Sequence, residues 1–106
     1  MKIILPIKKI WFDMILNGIK LEEYREIKPY YTKRLSKLFN IPEKDFVEWL
    51  KTNPEQNILV LFRNGYSGNS PNFTKKCKLT IKKGNTEWGA EEDVLYYTFC
   101  IEKERK

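Results

Sequence analysis

The hydrophobic positions in the first part of the chain recur with two different periods. Residues 2–7 are mostly apolar and predict a first strand. Five apolar side chains then recur at helical spacing: Ile7, Ile10, Trp11, Met14 and Ile15. Gly18 follows where a left-handed C-terminal cap belongs, so the pattern predicts a helix over residues 8–17.

The next stretch, residues 19–26, alternates like a strand but carries ionic groups. Four alternate side chains are predicted to share one face of this strand: Ile19, Leu21, Glu23 and Arg25. A packed interior excludes ionic groups unless they pair or reach solvent. Three interpretations therefore stay open: a solvated edge strand, a structural ion pair that pins a barrel, and an ionic cleft that serves a function.

The rest of the chain predicts two more helices and three more strands. One helix begins at Pro29 and another begins near Pro42. Three strands are predicted over residues 57–63, 73–83 and 94–102. The result is an α+β plan of about five mostly antiparallel strands with two or three helices. Because closure removes exposed strand edges, a small, partly open β-barrel is expected.

Length and composition narrow the class of protein. The 106 residues fit a single domain, and the absence of histidine removes the commonest general base and metal ligand. No metal site and no cofactor are therefore expected. Cys77 and Cys100 lie in apolar runs and are predicted to be free thiols. No apolar run approaches the roughly 18 residues of a membrane helix, and the N-terminus does not resemble a signal peptide. A cytoplasmic protein without a membrane partner is expected.

The charge balance indicates a polyanionic partner. Twenty basic residues against fourteen acidic ones give a net charge of +6, which favours nucleic acid as the partner. Two lysine-rich surfaces could attract a phosphate backbone: Lys28, Lys33, Arg34 and Lys37, and then Lys75, Lys76, Lys78, Lys82 and Lys83. The alternative for the second surface is a solubilised strand edge.

Three further positions are candidate ligand contacts. Arg63 and Tyr66 lie at the end of the apolar strand over residues 57–63 and in the loop after it, a common place for ligand contacts. An ordinary turn with a solvated arginine is the alternative. Trp88 lies in a Gly-rich acidic loop, where it either plugs the end of the core or offers a stacking face.

Residues 18–25, GIKLEEYR, fit the pattern G-x-K-x-x-E-x-R and resemble the signature of the ASCH domain, a branch of the PUA-like superfamily. Four flanking segments also resemble phage- or prophage-type members of that family: IKKIWFDMILNGIK, KPYYTKRL, FRNGYS and IKKGNTEWGAEEDVLYYTFCI. The resemblance covers most of the chain as one domain, residues 1–106. It is weakest over residues 41–56, which look like a helical insert.

The resemblance implies a small PUA-like β-barrel with helices around it and a cleft where the motif meets the barrel-end loops. The family is generally proposed to bind RNA or a nucleotide-like ligand in that cleft. Carried over by position, the cleft residues are Gly18, Lys20, Glu23, Arg25, Arg63 and Trp88. The expected function is RNA or nucleotide binding in a basic cleft, without catalysis.

The predicted cleft residues have distinct expected roles. Arg25 and Arg63 are expected to contact phosphate or base edges. Lys20 is expected to be a flexible cationic donor at the rim of the cleft. Glu23 is expected to orient Arg25 or to accept a hydrogen bond from a base amino group. Two side chains are candidate stacking faces: Tyr66 and Trp88.

One enzymatic branch of the family hydrolyses the acetyl amide of N4-acetylcytidine, with the motif lysine acting as base toward a threonine three positions later. In this chain that later position is Glu23, which favours binding over catalysis. The alternative function is a small metal-independent nucleoside amidohydrolase with Lys20 and Glu23 as its acid-base pair. A ribonuclease built on similar residues and a module that binds another protein are further alternatives.

Overall fold

The computed structural model describes residues 1–103, which fold around one five-stranded sheet. The strands are β1 (Lys2–Pro6), β2 (Glu22–Glu26), β3 (Gln56–Arg63), β4 (Asn72–Lys83) and β5 (Leu95–Ile101). Their order in the sheet is β1-β3-β4-β5-β2, in which β1 and β3 are parallel and the other neighbours are antiparallel. The sheet curls into a half-barrel, which confirms the predicted class of a small, mostly antiparallel α+β barrel.

Three α-helices accompany the sheet within residues 1–103. They are α1 (Lys9–Leu16), α2 (Pro29–Phe39) and α3 (Phe46–Thr52). Short 3₁₀ turns cover Glu43–Asp45 and Thr86–Trp88. The helix predicted to begin near Pro42 is therefore a 3₁₀ turn followed by α3. None of the helices in the described part of the chain is long and apolar enough to cross a membrane.

The core lies between the inner face of the sheet and the helices. Val60 and Phe62 of β3 and Leu79 of β4 are fully buried there, as the alternation of β4 and the apolar run of β3 predict. Phe46 of α3 is equally buried, and its ring lies 5.9 Å from the ring of Tyr97. Residues 41–56, which look like a helical insert in the sequence, therefore supply part of the core. Both cysteines are free thiols, as predicted.

The strand predicted over residues 19–26 begins later than its alternation indicates. Gly18 has a φ of +74°, and the N–H groups of Ile19 and Lys20 donate to the carbonyl of Met14 at 2.8 and 3.1 Å. This is the helix cap that the glycine predicts, and it uses the backbone that would otherwise begin the strand. Ile19 is exposed, so the prediction that it shares a face with Glu23 is wrong.

Candidate functional site

An open groove of about 530 Å³ lies where β2, the beginnings of α1 and α2, and the loop before β5 meet. Six aromatic side chains of the described chain line this aromatic groove: Trp11, Tyr24, Tyr30, Tyr31, Trp88 and Tyr96. They come from five separate segments. Of these six, the sequence pattern indicated only Trp88 as a ligand contact, because an aromatic residue in a helix or strand is first interpreted as core.

Lys20 lies beneath the groove rather than at its rim. Its side chain is fully buried, and its Nζ donates to the carbonyl of Trp88 at 2.7 Å and lies 3.0 Å from Oε1 of Glu23. The same nitrogen is 4.8 Å from the ring of Trp11 and 5.0 Å from the ring of Tyr24. The expectation of a flexible donor at the rim is therefore wrong. Lys20 instead fixes the loop that carries Trp88 against the floor of the groove.

Glu23 links Lys20 to Arg25, whose guanidinium group spans the floor of the groove. Oε2 of Glu23 accepts from Nη1 of Arg25 at 2.5 Å, and the Glu23 side chain is buried. Arg25 also donates to the carbonyls of Tyr24 at 2.8 Å and Pro6 at 2.9 Å, and to the hydroxyl of Tyr31 at 3.0 Å. The interpretation as a solvated edge is wrong for these side chains. They form a structural ionic cluster, and Glu23 and Arg25 line the groove.

Burial and the nearby negative charge have opposite effects on the pKa values of Lys20 and Arg25. Burial lowers the pKa of Lys20 below its usual 10.5, and the nearby Glu23 carboxylate only partly offsets this effect. Burial is also the largest effect on Arg25 and acts to lower its pKa, but the charges and hydrogen bonds of Glu23 and Tyr31 together outweigh burial, so the pKa of Arg25 is raised. Arg25 therefore stays positively charged at the floor of the groove, whereas burial disfavours the charged form of Lys20.

The lowered pKa of Lys20 predicts a pH dependence of stability. Between that pKa and 10.5 the unfolded chain binds a proton that the folded chain has lost, so this group stabilises the fold more as pH rises. The free energy of unfolding of the wild type, minus that of Lys20→Met, should therefore increase with pH in this window. Urea denaturation of both proteins across the window measures the difference, and the variant keeps every other titrating group. A difference that is constant or falls with pH contradicts the prediction.

The loop between β4 and β5 is held over the groove by close packing. Tyr24 donates its hydroxyl hydrogen to Glu22 at 2.7 Å and accepts from the N–H of Asn85 at 2.8 Å. Gly89 has a φ of +99°, and a Cβ there would lie 3.3 Å from the ring of Trp11. A glycine is therefore required where this loop crosses Trp11. Trp88 belongs to a small apolar cluster beside the groove, which agrees with both interpretations of this residue.

Two predicted site residues lie outside the aromatic groove. Arg63 and Tyr66 are not among the residues that line it, so the expectation that they share one cleft with Lys20 and Glu23 is wrong. Arg63 is half-buried and lies on the opposite face of β3 from the buried side chain of Phe62. Its Nε is buried and has no hydrogen-bond partner within residues 1–103. Tyr66 is 88% exposed in the loop after β3.

The groove is not predominantly basic. Its lining in the described chain contains three cationic and three anionic side chains: Lys8, Arg25 and Lys28, and then Glu23, Glu26 and Glu91. The lysines of β4 are also largely compensated. Lys78 lies 3.6 Å from Glu102, Lys83 lies 3.1 Å from Asp93, and Lys82 pairs with Glu22. The expectation of a basic cleft is therefore wrong, and β4 resembles a solubilised strand more than a phosphate-binding stripe.

Serine, threonine and cysteine side chains do not provide a nucleophile in the groove within the described residues. No serine or threonine lines the groove within residues 1–103. The hydroxyl of Thr32 is hydrogen-bonded to that of Tyr97 at 2.6 Å. Burial raises the pKa of the Cys77 thiol to about 12, which keeps it protonated and unreactive.

No protein-family model, no curated protein and no solved structure matches this chain. The resemblance to the ASCH domain therefore stays a prediction from the motif and its flanks.

Proposed function

We propose that the aromatic groove binds RNA or a nucleotide by stacking bases on its aromatic side chains. The observation that carries this proposal is the convergence of six aromatic residues on a groove whose floor holds ionised hydrogen-bonding groups. Unpaired bases have two flat faces and polar edges, so they match walls that stack and a floor that hydrogen-bonds. The proposal also agrees with the resemblance to the ASCH domain.

Tyr30 is the aromatic residue best placed to meet a base first. It is 66% exposed at the start of α2, and its ring packs edge-on against Tyr31 with the ring centres 4.8 Å apart. The guanidinium carbon of Arg34 lies 5.4 Å from the centre of the Tyr30 ring. A tyrosine that is supported in this way keeps its orientation while most of its surface stays in water. This is the arrangement that a stacking platform needs.

The charges of the chain support a nucleic-acid ligand rather than an isolated anion. The net charge of +6 attracts a phosphate backbone from a distance, and Lys8 and Lys28 line the groove. Glu23, Glu26 and Glu91 line the same groove and repel an anion. We therefore assign the groove to the base and its outer cations to the backbone.

Tyr30→Ala is expected to weaken the binding of short single-stranded RNA by about tenfold, because a stacked base is worth about 1–3 kcal/mol. Fluorescence anisotropy with a labelled oligonucleotide at low salt measures the affinity. Tyr66→Ala is the matched control, since Tyr66 is exposed and lies outside the groove. Both side chains are exposed, so neither variant should lose stability. Equal losses in the two variants, or no binding by the wild type, contradict the proposal.

A second candidate function is hydrolysis of an acylated nucleoside with Lys20 and Glu23 as the acid-base pair. It is favoured by the lowered pKa of Lys20 and by the 3.0 Å separation of its Nζ from Glu23. The burial of Lys20 and the lack of a serine or threonine in the groove favour binding without catalysis. Incubation with N4-acetylcytidine separates the two functions, and we expect no release of cytidine.

A further inference from the structure

We propose that Glu23 makes the groove selective for guanine, by accepting hydrogen bonds from the N1–H and the exocyclic amino group of that base. This inference rests on the proposed function, because it names the base that the aromatic groove would prefer. It follows from the hydrogen-bonding groups at the floor of the groove, and it gives a role to Glu23, the third specified residue of the motif.

Glu23 retains acceptor capacity in the groove. A carboxylate oxygen has two lone pairs and can accept more than one hydrogen bond. Within the described chain, Oε1 of Glu23 has one cationic donor, Lys20, at 3.0 Å, and Oε2 has one, Arg25, at 2.5 Å. Each oxygen therefore keeps one acceptor site. Glu23 is a lining residue of the groove although its side chain is only 6% exposed, so a ligand can approach it from the groove side alone.

Glu23 acts as a hydrogen-bond acceptor in this cluster. Lys20 and Arg25 both contact its carboxylate, at 3.0 and 2.5 Å. An ionised carboxylate has no hydrogen to donate. A ligand edge that meets Glu23 must therefore present hydrogen atoms, and two parallel N–H groups match its two oxygens best.

Guanine is the common base whose edge carries two adjacent N–H donors, at N1 and at the exocyclic amino group. Adenine and cytosine place one amino group beside an unprotonated ring nitrogen, which would face a carboxylate oxygen with a lone pair. Uracil has one N–H between two carbonyl oxygens. Each of these bases would leave an acceptor opposite an acceptor in a largely buried site, which is unfavourable.

The selectivity can be tested on the wild-type protein by changing the ligand. Guanosine monophosphate carries both donors, inosine monophosphate lacks the amino group, and 1-methylguanosine monophosphate lacks the N1–H. Isothermal titration compares the affinities of the protein for these three ligands. Loss of either donor should weaken binding by about tenfold, which corresponds to one hydrogen bond to a charged group. The monophosphates of adenosine, cytidine and uridine should bind as weakly as the two analogues.

Glu23→Gln tests the same inference from the protein side. Glutamine keeps the shape but replaces one acceptor by a donor, so the ratio of the guanosine and inosine affinities should fall toward unity. Because the ratio is taken within one preparation, a lower folded fraction affects both ligands equally. Similar affinities of all the nucleotides for the wild type, or a ratio unchanged in Glu23→Gln, overturn the selectivity while the proposed function stands. Binding of none of the nucleotides and of no RNA overturns both.

Discussion

Glu23→Ala should lower the free energy of unfolding by about 3–5 kcal/mol, because it leaves two buried cations without their counter-charge. Lys20 is fully buried, and the side chain of Arg25 is only 14% exposed. Neither cation can move into water without breaking its other contacts, which include the carbonyls of Trp88 and Pro6. Domains of this size are stable by about 5–15 kcal/mol, so the loss is a large part of the total. Urea denaturation followed by tryptophan fluorescence measures it.

A double-mutant cycle separates the charge effect from the loss of packing. Lys20→Met in the Glu23→Ala background removes one uncompensated cation and should recover part of the lost stability. The matched control is Asp13→Ala, which breaks the exposed pair of Lys9 and Asp13, 2.8 Å apart. Exposed pairs are worth about 0–1 kcal/mol, so the control should change little. If Glu23→Ala loses no more than Asp13→Ala, the ionic cluster is not a structural element.

Local signals predict the elements of this fold well. The run of apolar residues in β3 and the alternation of Cys77 and Leu79 in β4 are properties of neighbouring positions, and both match the buried faces. Gly18 likewise marks the end of α1, because its left-handed conformation is a local requirement. The number of strands follows from these elements, and the antiparallel pairing of β3, β4 and β5 follows from the short connections between them.

The setting of Lys20 could not be predicted from local signals. Its hydrogen-bond acceptor is the carbonyl of Trp88, which lies 68 positions further along the chain. A lysine two positions after a turn glycine indicates an exposed side chain, and only the tertiary packing of Trp11 and Tyr24 around it reverses that expectation. The motif spacing identified the residue, but the spacing contains no information about the depth of its burial.

The prediction that Arg63 and Tyr66 lie in the cleft was wrong for a related reason. The end of a buried strand is a common site of ligand contacts, but the curl of the sheet decides which strand ends meet. The groove forms at β2 and at the helices that follow β1 and β2, whereas Arg63, at the end of β3, is not among its lining residues. The curvature of the whole sheet decides which segments line the same groove. The sequence of a single strand therefore cannot predict it.

Arg25→Lys should lower the free energy of unfolding by about 2–4 kcal/mol although it keeps the positive charge. The guanidinium group donates to Pro6 at the end of β1 while Arg25 itself belongs to β2. These are the two outer strands of the sheet, so this side chain joins the edges that the half-barrel leaves unpaired. A lysine ammonium group is more compact than a guanidinium group and cannot donate to all four of the acceptors that Arg25 contacts: Glu23, Tyr24, Pro6 and Tyr31. Urea denaturation gives the loss, and hydrogen exchange should be faster in the peptides that contain β1 and β2.

Arg34→Lys is the matched control, because the same substitution is made beside the same strand. Arg34 donates to the carbonyl of Ile4 in β1 at 3.3 Å, which is a longer hydrogen bond than the one from Arg25 to Pro6, and it does not contact Glu23 in the described chain. Its replacement should therefore lower stability by about 1 kcal/mol or less and leave exchange in β2 unchanged. If the two variants lose the same stability, or if Arg25→Lys leaves exchange in β1 unchanged, Arg25 contributes only its charge. In the expected case, the arginine of the motif closes the barrel edge and forms the groove floor with the same set of hydrogen bonds.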